Sequence, residues 1–276
     1  MKKMIEREIE RIIVIGRGSI LKSCLGIAAQ AYPDAKGEIY EPQKKAEMME
    51  YLRAVKEKSL IISVMNPYII AEDVVEMTNL LIINVHHALL PKHPGLNAVA
   101  WTIWAGDKEG GITWHYVDSG IDSGKIILRK AVAIDENTSS SRLMQKSKIL
   151  MLDGLKEILP LKENAVQADS AEKCPEEKSE EKPHGPKDTI NGAVLDLSWD
   201  FTTASRFLRA MDFGFLHPMG IPLIKSDDME FEILSYTLKK EKNKINGISE
   251  IRRSEEKDTI KILYADGEIE LRVKSG

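Results

Sequence analysis

Short runs of apolar, mostly β-branched residues alternate with segments of helical spacing through the first third of this chain. "RIIVIG", "SLIISVM" and "NLLIINVHH" are apolar almost throughout, with "GEIYE" as a weaker member of the set. A strand reads this way when both faces of its sheet are covered. Between the runs, "SILKSCLGIAAQAY" spaces Ile20, Leu21, Cys24, Ile27 and Ala28 along one helical face. "PQKKAEMMEYLRAVKEK" opens on Pro42 and is rich in helix formers, and "IIAEDVVEMT" reads as a third helix. This alternation predicts an α/β fold: a Rossmann-like, mostly parallel sheet flanked by helices.

The pattern then changes. "GLNAVAWTIWAG" reads as a helix, "GITWHYVD" and "KIILRKAVAI" as strands joined by "SGIDSG", and "NTSSSRLMQKSKILMLDGLKEIL" as a long capped helix. "KENAVQADSAEKCPEEKSEEKPHGPKD" is charged and almost free of large apolar groups, which is linker composition. Beyond it, "SWDFTTASRFLRAMDFG" predicts one helix with Ser198 or Asp200 as cap and Gly214 as stop. "MEFEILSYTLKK", "GISEIRR", "TIKILYAD" and "EIELRVK" predict short strands, with a hairpin at Asp266-Gly267. The expected organisation is a catalytic domain over 1–162, a linker over 163–188 and a smaller, β-rich, barrel-like C-terminal module over 189–276.

Composition narrows the function. A net charge of -4 and a pI near 6.0 argue against a nucleic-acid partner. Cys24 and Cys174 form neither a metal nor a disulfide pattern. No apolar run approaches the ~20 residues that span a bilayer, and the N-terminus lacks a signal-peptide core. A cytoplasmic protein with no membrane partner is expected.

Two stretches carry candidate chemistry. In "VIGRGSIL", Gly16 and Gly18 fill two places of a dinucleotide fingerprint, but Leu21 stands in the third, and Glu41 follows at the distance of a ribose-binding acid. The signal is partial and is read as a tight turn into a helix, with a nicotinamide site or another anion site as the alternatives. In "NLLIINVHH", Asn84 and His86 share a strand face, and His87 takes the other. Open α/β sheets bind ligands beyond the carboxyl ends of their strands. There an amide and an imidazole can donate to a developing oxyanion, and a carboxylate such as Asp122 in "SGIDSG" can orient the imidazole or accept a proton. The residues alone also allow a polar strand end with a turn aspartate. A metal site from His86, His87, His93, His115 and Asp122 matches no common zinc spacing, so no metal ligand is assigned.

The ordered residues Asn84, His86, Ala88-Leu89-Leu90-Pro91, Gly95, Trp104-Ala105-Gly106-Asp107, Gly111-Ile112-Thr113 and Asp122-Ser123-Gly124 resemble the catalytic region of the 10-formyltetrahydrofolate-dependent formyltransferases. This family includes methionyl-tRNA, glycinamide ribonucleotide and sugar N-formyltransferases, and the chain is closest in look to the last. The resemblance implies a formyltransferase with 10-formyltetrahydrofolate as co-substrate. An acceptor amine attacks the formyl carbon while Asn84 and His86 stabilise the formyl oxygen. Asp122 supports His86 and removes a proton, directly or through water. It further implies that Ala88, Leu89, Leu90 and Pro91 line the folate pocket, and that the loop holding Val117, Asp118 and Ile121 closes over the pterin.

For the acceptor, the short connection from Gly16 to Gly37 carries only Arg17, Lys22 and Lys36 as bases. The resemblance implies a basic insertion there in enzymes that act on tRNA, which argues against tRNA. "GITWHY", "SVMNPYII" and "DLSWDFTTASRFLRAMDFG" resemble sugar N-formyltransferases, which implies a small-molecule amine, first a nucleotide-linked amino sugar, with an aminoacyl group as the alternative. A nicotinamide-dependent oxidoreductase and a non-catalytic folate-binding module are the competing classes. Trp114 is read as a packed aromatic, His115 as either a cleft or a core residue, and His93 as a loop residue. Arg206 and Arg209 share a helix face that could meet a diphosphate, but they are read first as ordinary solvated or salt-bridged arginines. The C-terminal module offers acceptor contacts or a homodimer surface.

Overall fold

A computed structural model describes residues 9–161, 181–226, 229–245, 248–253 and 258–275. The chain divides into two compact units. The first holds 1–98, 110–132 and 144–184; the second holds 99–109, 133–143 and 185–276.

The first sheet runs β2(Lys36–Tyr40), β1(Arg11–Gly16), β3(Ser59–Val64), β4(Leu80–His86), β5(Glu109–Tyr116), β6(Ile126–Ala133) in spatial order. β1 pairs in parallel with β2 and β3, β3 pairs in parallel with β4, and β5 runs antiparallel to β4. The expected mostly parallel sheet is therefore present. Its apolar runs are continuous because alternate residues enter different cores. Ile12, Val14, Leu60, Ile62, Val64, Ile83 and Val85 pack with Leu21, Cys24 and Ala28 of α1(Ile20–Ala31) and with Met151, Leu155 and Ile158 of α5(Ser140–Ile158). Ile13, Ile15, Ile61, Leu80 and Ile82 pack with Met48, Met49 and Leu52 of α2(Lys45–Ala54) and with Val74 of α3(Glu72–Val75). The period-two alternation of strand side chains is the cause. Each fully buried Ile or Leu in these layers contributes roughly 1.5–3 kcal/mol relative to leaving it in water.

Both early helices are shorter than their sequence spacing suggests. α2 ends where Val55 turns extended (φ -67, ψ 122), and that side chain enters the core instead. α3 is a single turn of four residues. A short apolar segment between two buried strands is held by packing rather than by helix propensity, so the chain keeps only the turn it needs.

In the second unit, α6(Phe201–Met211) follows the capping expectation, with Asp200 accepting from the Thr203 amide. Phe201, Ala204, Ser205, Phe207, Leu208 and Met211 form its buried face. The second sheet has the order β10(Ser249–Arg253), β11(Thr259–Tyr264), β12(Gly267–Ser275), β9(Met229–Lys239), β8(Leu223–Ser226), β7(Val194–Leu195). β7 and β8 escaped the sequence reading because their patterns are too short. The hairpin is centred one residue earlier than expected, on Ala265-Asp266, because Tyr264 pairs with Gly267. A Cβ at Gly267 would lie 2.5 Å from the Phe201 ring, so the glycine serves a close approach rather than the turn.

Of the charged segment, 163–180 lies outside the described residues. His184 is described and forms an isolated parallel bridge with Gly95. No helix among the described residues is long and apolar enough to cross a membrane.

Candidate active site

β4 presents Asn84 and His86 on one face, at the carboxyl end of the parallel strands. β5 pairs there in antiparallel register, with Asn84 opposite His115 and His86 opposite Thr113. Directly opposed residues bring their side chains together. The Asn84 amide accordingly donates from Nδ2 to His115 Nε2 across 3.1 Å. His115 Nδ1 sits 2.9 Å from the Tyr116 carbonyl and donates to it, which leaves Nε2 as the acceptor for the amide. His115 is thus buried and in contact with Asn84, the partner that one of the two alternatives left open by the sequence requires. Its strand register sets this contact, and register is not visible in a single strand's composition.

Asp122 joins from the loop after β5. Its Oδ2 lies 3.1 Å from His86 Nδ1, and its Oδ1 lies 3.4 Å from His115 Nε2. The Gly95 amide donates to the same Oδ2 across 2.8 Å. The carboxyl is only 13% exposed. Burial by itself would raise its pKa. A hydrogen bond from His86, the charge of His86 and the Gly95 amide outweigh burial and hold the group below the usual carboxylate range. Asp122 adopts φ 51, a left-handed conformation that aims its side chain back toward β4.

The other ring nitrogen of His86, Nε2, lies 2.8 Å from the His93 carbonyl. Both nitrogens of His86 therefore face oxygen atoms. His93, read as an ordinary loop residue, contributes through its backbone, so no side-chain pattern announces it. It is buried, at φ 52. Thr113 pins the segment after β4: its hydroxyl donates to the Ala88 carbonyl (2.7 Å) and accepts from the Leu90 amide (3.0 Å).

The residues assigned to the folate pocket divide by exposure. Ala88 and Leu90 are buried, and Leu89 and Pro91 are half-buried. Val117 packs partly against the α2-side core, whereas Ile121 is 41% exposed. Asp118 shapes its own loop, accepting from the Gly120 amide and the Ser123 hydroxyl.

His87 points away from this group. Its Nε2 lies 3.2 Å from Met65 Sδ, and burial, with smaller contributions from the charges of His86 and Lys148, pushes its pKa down to about 4. In the glycine turn, the Gly18 amide is 3.5 Å from Glu41 Oε2, and Leu21 is buried in the core. The acid thus meets the turn's own amide. In the second unit, Arg209 donates to the carbonyls of Asp135 and Thr138, while the Arg206 guanidinium lies over Gly106. Trp114 is fully buried and donates to the Met151 carbonyl, as a packed aromatic does.

Comparison with known proteins gives the following. The family model described as formyl transferase matches residues 18–159. A methionyl-tRNA formyltransferase of Clostridioides difficile is 35% identical over 125 residues, which is 45% of this chain and 40% of that protein. A phosphoribosylglycinamide formyltransferase of Bacillus subtilis is 49% identical over 65 residues, 24% of this chain and 33% of that protein. The chain thus spans well under two thirds of the curated relatives it matches. An N-formyltransferase of Helicobacter canadensis, crystallised with folinic acid and dTDP-3-aminofucose, superposes with a TM-score of 0.70 at 16% identity, covering 96% of this chain and 100% of that one. At that identity the likeness is one of fold.

Proposed function

Because this chain belongs to the formyl transferase family, we propose that it transfers the formyl group of 10-formyltetrahydrofolate to a primary amine, using Asn84, His86 and Asp122. The observation that carries the reading is the chain of contacts at the end of β4, from Asn84 to His115 (3.1 Å), His115 to Asp122 (3.4 Å) and Asp122 to His86 (3.1 Å).

The neutral amine attacks the formyl carbon and gives a tetrahedral oxyanion. The Asn84 amide has two hydrogens; His115 takes one and aligns the group, and the other serves the oxyanion. The formyl oxygen competes with the His93 carbonyl for the hydrogen on His86 Nε2. Asp122, held ionised, keeps His86 oriented and receives the amine proton through water. The bond from carbon to N10 then breaks, N10 takes up a proton, and tetrahydrofolate leaves. Around the pterin, the buried Ala88 and Leu90 offer backbone groups, while Leu89, Pro91, Val117 and the exposed Ile121 supply apolar cover beside Asp118.

The acceptor proposed is a nucleotide-linked amino sugar. The Helicobacter enzyme, crystallised with such a compound, matches the fold over nearly the whole of both chains, whereas the tRNA enzyme is matched over two fifths of its length. The short connection after β1 and the net charge of -4 agree. Sequence identity favours methionyl-tRNA as a second reading. A formyl-transfer assay across nucleotide-linked amino sugars, aminoacyl carriers and charged initiator tRNA separates the two. Consumption of 10-formyltetrahydrofolate with no member of the panel would defeat the function as proposed.

A further inference from the structure

Away from the reacting groups, His93, Glu181 and His184 form a cluster in which one ligand atom from each residue lies within 4.8 Å of the others. We propose that these three residues bind one divalent first-row transition ion, of which zinc is the representative probe. The donor set is two imidazoles and one carboxylate. That set suits such ions, which take His nitrogen and Glu oxygen at about 2.0–2.2 Å and leave a fourth position for water. Tetrahedral bonds of that length put ligand atoms roughly 3.3–3.5 Å apart. The pair His93 Nδ1 and Glu181 Oε2 is already at 3.6 Å. The widest separation, 4.8 Å at most, needs to close by no more than about 1.5 Å, within the reach of side-chain torsions.

The backbone that carries the ligands is fixed without an ion. The His184 amide donates to the Pro94 carbonyl across 2.8 Å, and the Leu96 amide donates to the His184 carbonyl across 2.9 Å. The His93 amide donates to Glu181 Oε2 across 2.8 Å, and a carboxylate retains lone pairs for a metal after accepting one such bond. A Cβ at Gly95 would lie 2.4 Å from the His184 carbonyl oxygen, so the two segments are in their closest approach. Gly95 and His93 both also adopt positive φ, 92° and 52°. A non-glycine residue held left-handed inside a packed loop marks a position fixed by its surroundings.

The consequence reaches the candidate active site. The His93 carbonyl meets His86, and the Gly95 amide meets Asp122. An ion held by the His93 ring and by the 181–184 segment would lock the loop that orients both groups. It would position them without touching the substrate. The ligands are far apart in the chain, with Glu181 88 positions after His93, so no local zinc spacing could announce them.

The test uses the full chain, stripped with a chelator and titrated with Co2+, whose visible absorption reports tetrahedral nitrogen and oxygen ligation. One equivalent is expected to saturate the signal, and Zn2+ to displace it. Glu181→Gln keeps an acceptor for the His93 amide, and His184→Ala keeps the backbone bridge. Each is expected to weaken binding at least ~100-fold, while His217→Ala, at an exposed histidine elsewhere, leaves it unchanged. Zn2+ is expected to raise the melting temperature of the wild type but not of Glu181→Gln. Absence of a saturable one-equivalent signal, wild-type affinity in Glu181→Gln, or equal loss in His217→Ala would overturn the proposal. None of these readouts involves folate, so the metal site and the formyl-transfer reading stand or fall separately.

Discussion

Two partly buried charges in this protein have opposite fates. Asp122 in the first unit is ringed by side chains that can exchange partners: two imidazoles and, through His115, an amide. Arg209 in the second unit donates to two backbone carbonyls, of Asp135 and Thr138, and its Nε is buried with no hydrogen-bond partner among the described residues. Burial acts against both charges, and only at Asp122 do the neighbours outweigh it, so that carboxyl sits below its usual range while the Arg209 guanidinium sits below its own. Carbonyls of a packed loop cannot move to a ligand without unfolding the loop, whereas side chains on strand ends can. The difference separates a group available for chemistry from one consumed by structure. It also moves Arg209 from a candidate diphosphate contact to a brace.

The sharpest way to break this contrast is to remove the groups around Asp122. Asn84→Ala or His86→Ala is expected to lower kcat by ~100- to 1000-fold, the usual worth of one oxyanion donor, with melting temperature little changed. Steady-state kinetics alongside thermal melts would measure both, and wild-type turnover in either variant would remove that residue from the chemistry. Asp122→Asn probes the carboxylate itself. Because the folded pKa is depressed, the ionised group contributes stability that is present above its unfolded pKa of about 4 and is lost as pH falls through the folded value. The wild type should therefore lose stability in acid faster than Asp122→Asn does. Equal losses of unfolding free energy between pH 7 and pH 3 in the wild type and Asp122→Asn, read from denaturant titrations at each pH, would mean that the carboxylate is no more stabilised in the fold than in the open chain.

How far this contrast was legible in sequence depends on what sets each contact. The sheet was readable because its strands are apolar on both faces; Asn84, His86 and Asp122 stood out as candidates because polar residues interrupt that pattern at a strand end and in a glycine-flanked loop, and only the family resemblance chose them over a plain polar strand end. His115 required the antiparallel register of β5 on β4, which no single run encodes. His93 acts through its carbonyl, an atom every residue has. Arg209 looked like a ligand contact because its spacing with Arg206 is real, but the carbonyls that take it come from residues some seventy positions earlier. Side-chain patterns foretell faces and ends of elements; partners supplied by another element's backbone leave no trace in them.

The second unit supplies the smaller effects. Arg209→Ala removes charge-assisted hydrogen bonds to the carbonyls of exposed Asp135 and buried Thr138, and a loss of about 2 kcal/mol is expected in urea denaturation, with kcat for the surviving folded fraction near wild type. A fall in kcat with stability intact would reverse the assignment and return Arg209 to substrate binding.

Asp200→Ala gives the finest test. Its carboxylate accepts from the Thr203 amide at the first turn of α6, where the helix leaves amides without partners, and loss of such a cap typically costs ~1 kcal/mol. Asp200→Ser replaces one capping oxygen with another and should recover most of that stability, because the Ser hydroxyl reaches the same amide. If Ser and Ala melted together, the cap would contribute nothing measurable. α6 would then be held by its buried face alone, through Phe201, Phe207 and Leu208. Stability in this unit would in that case come from packing, and the backbone contacts that distinguish Arg209 from Asp122 would carry less of the difference between the two regions.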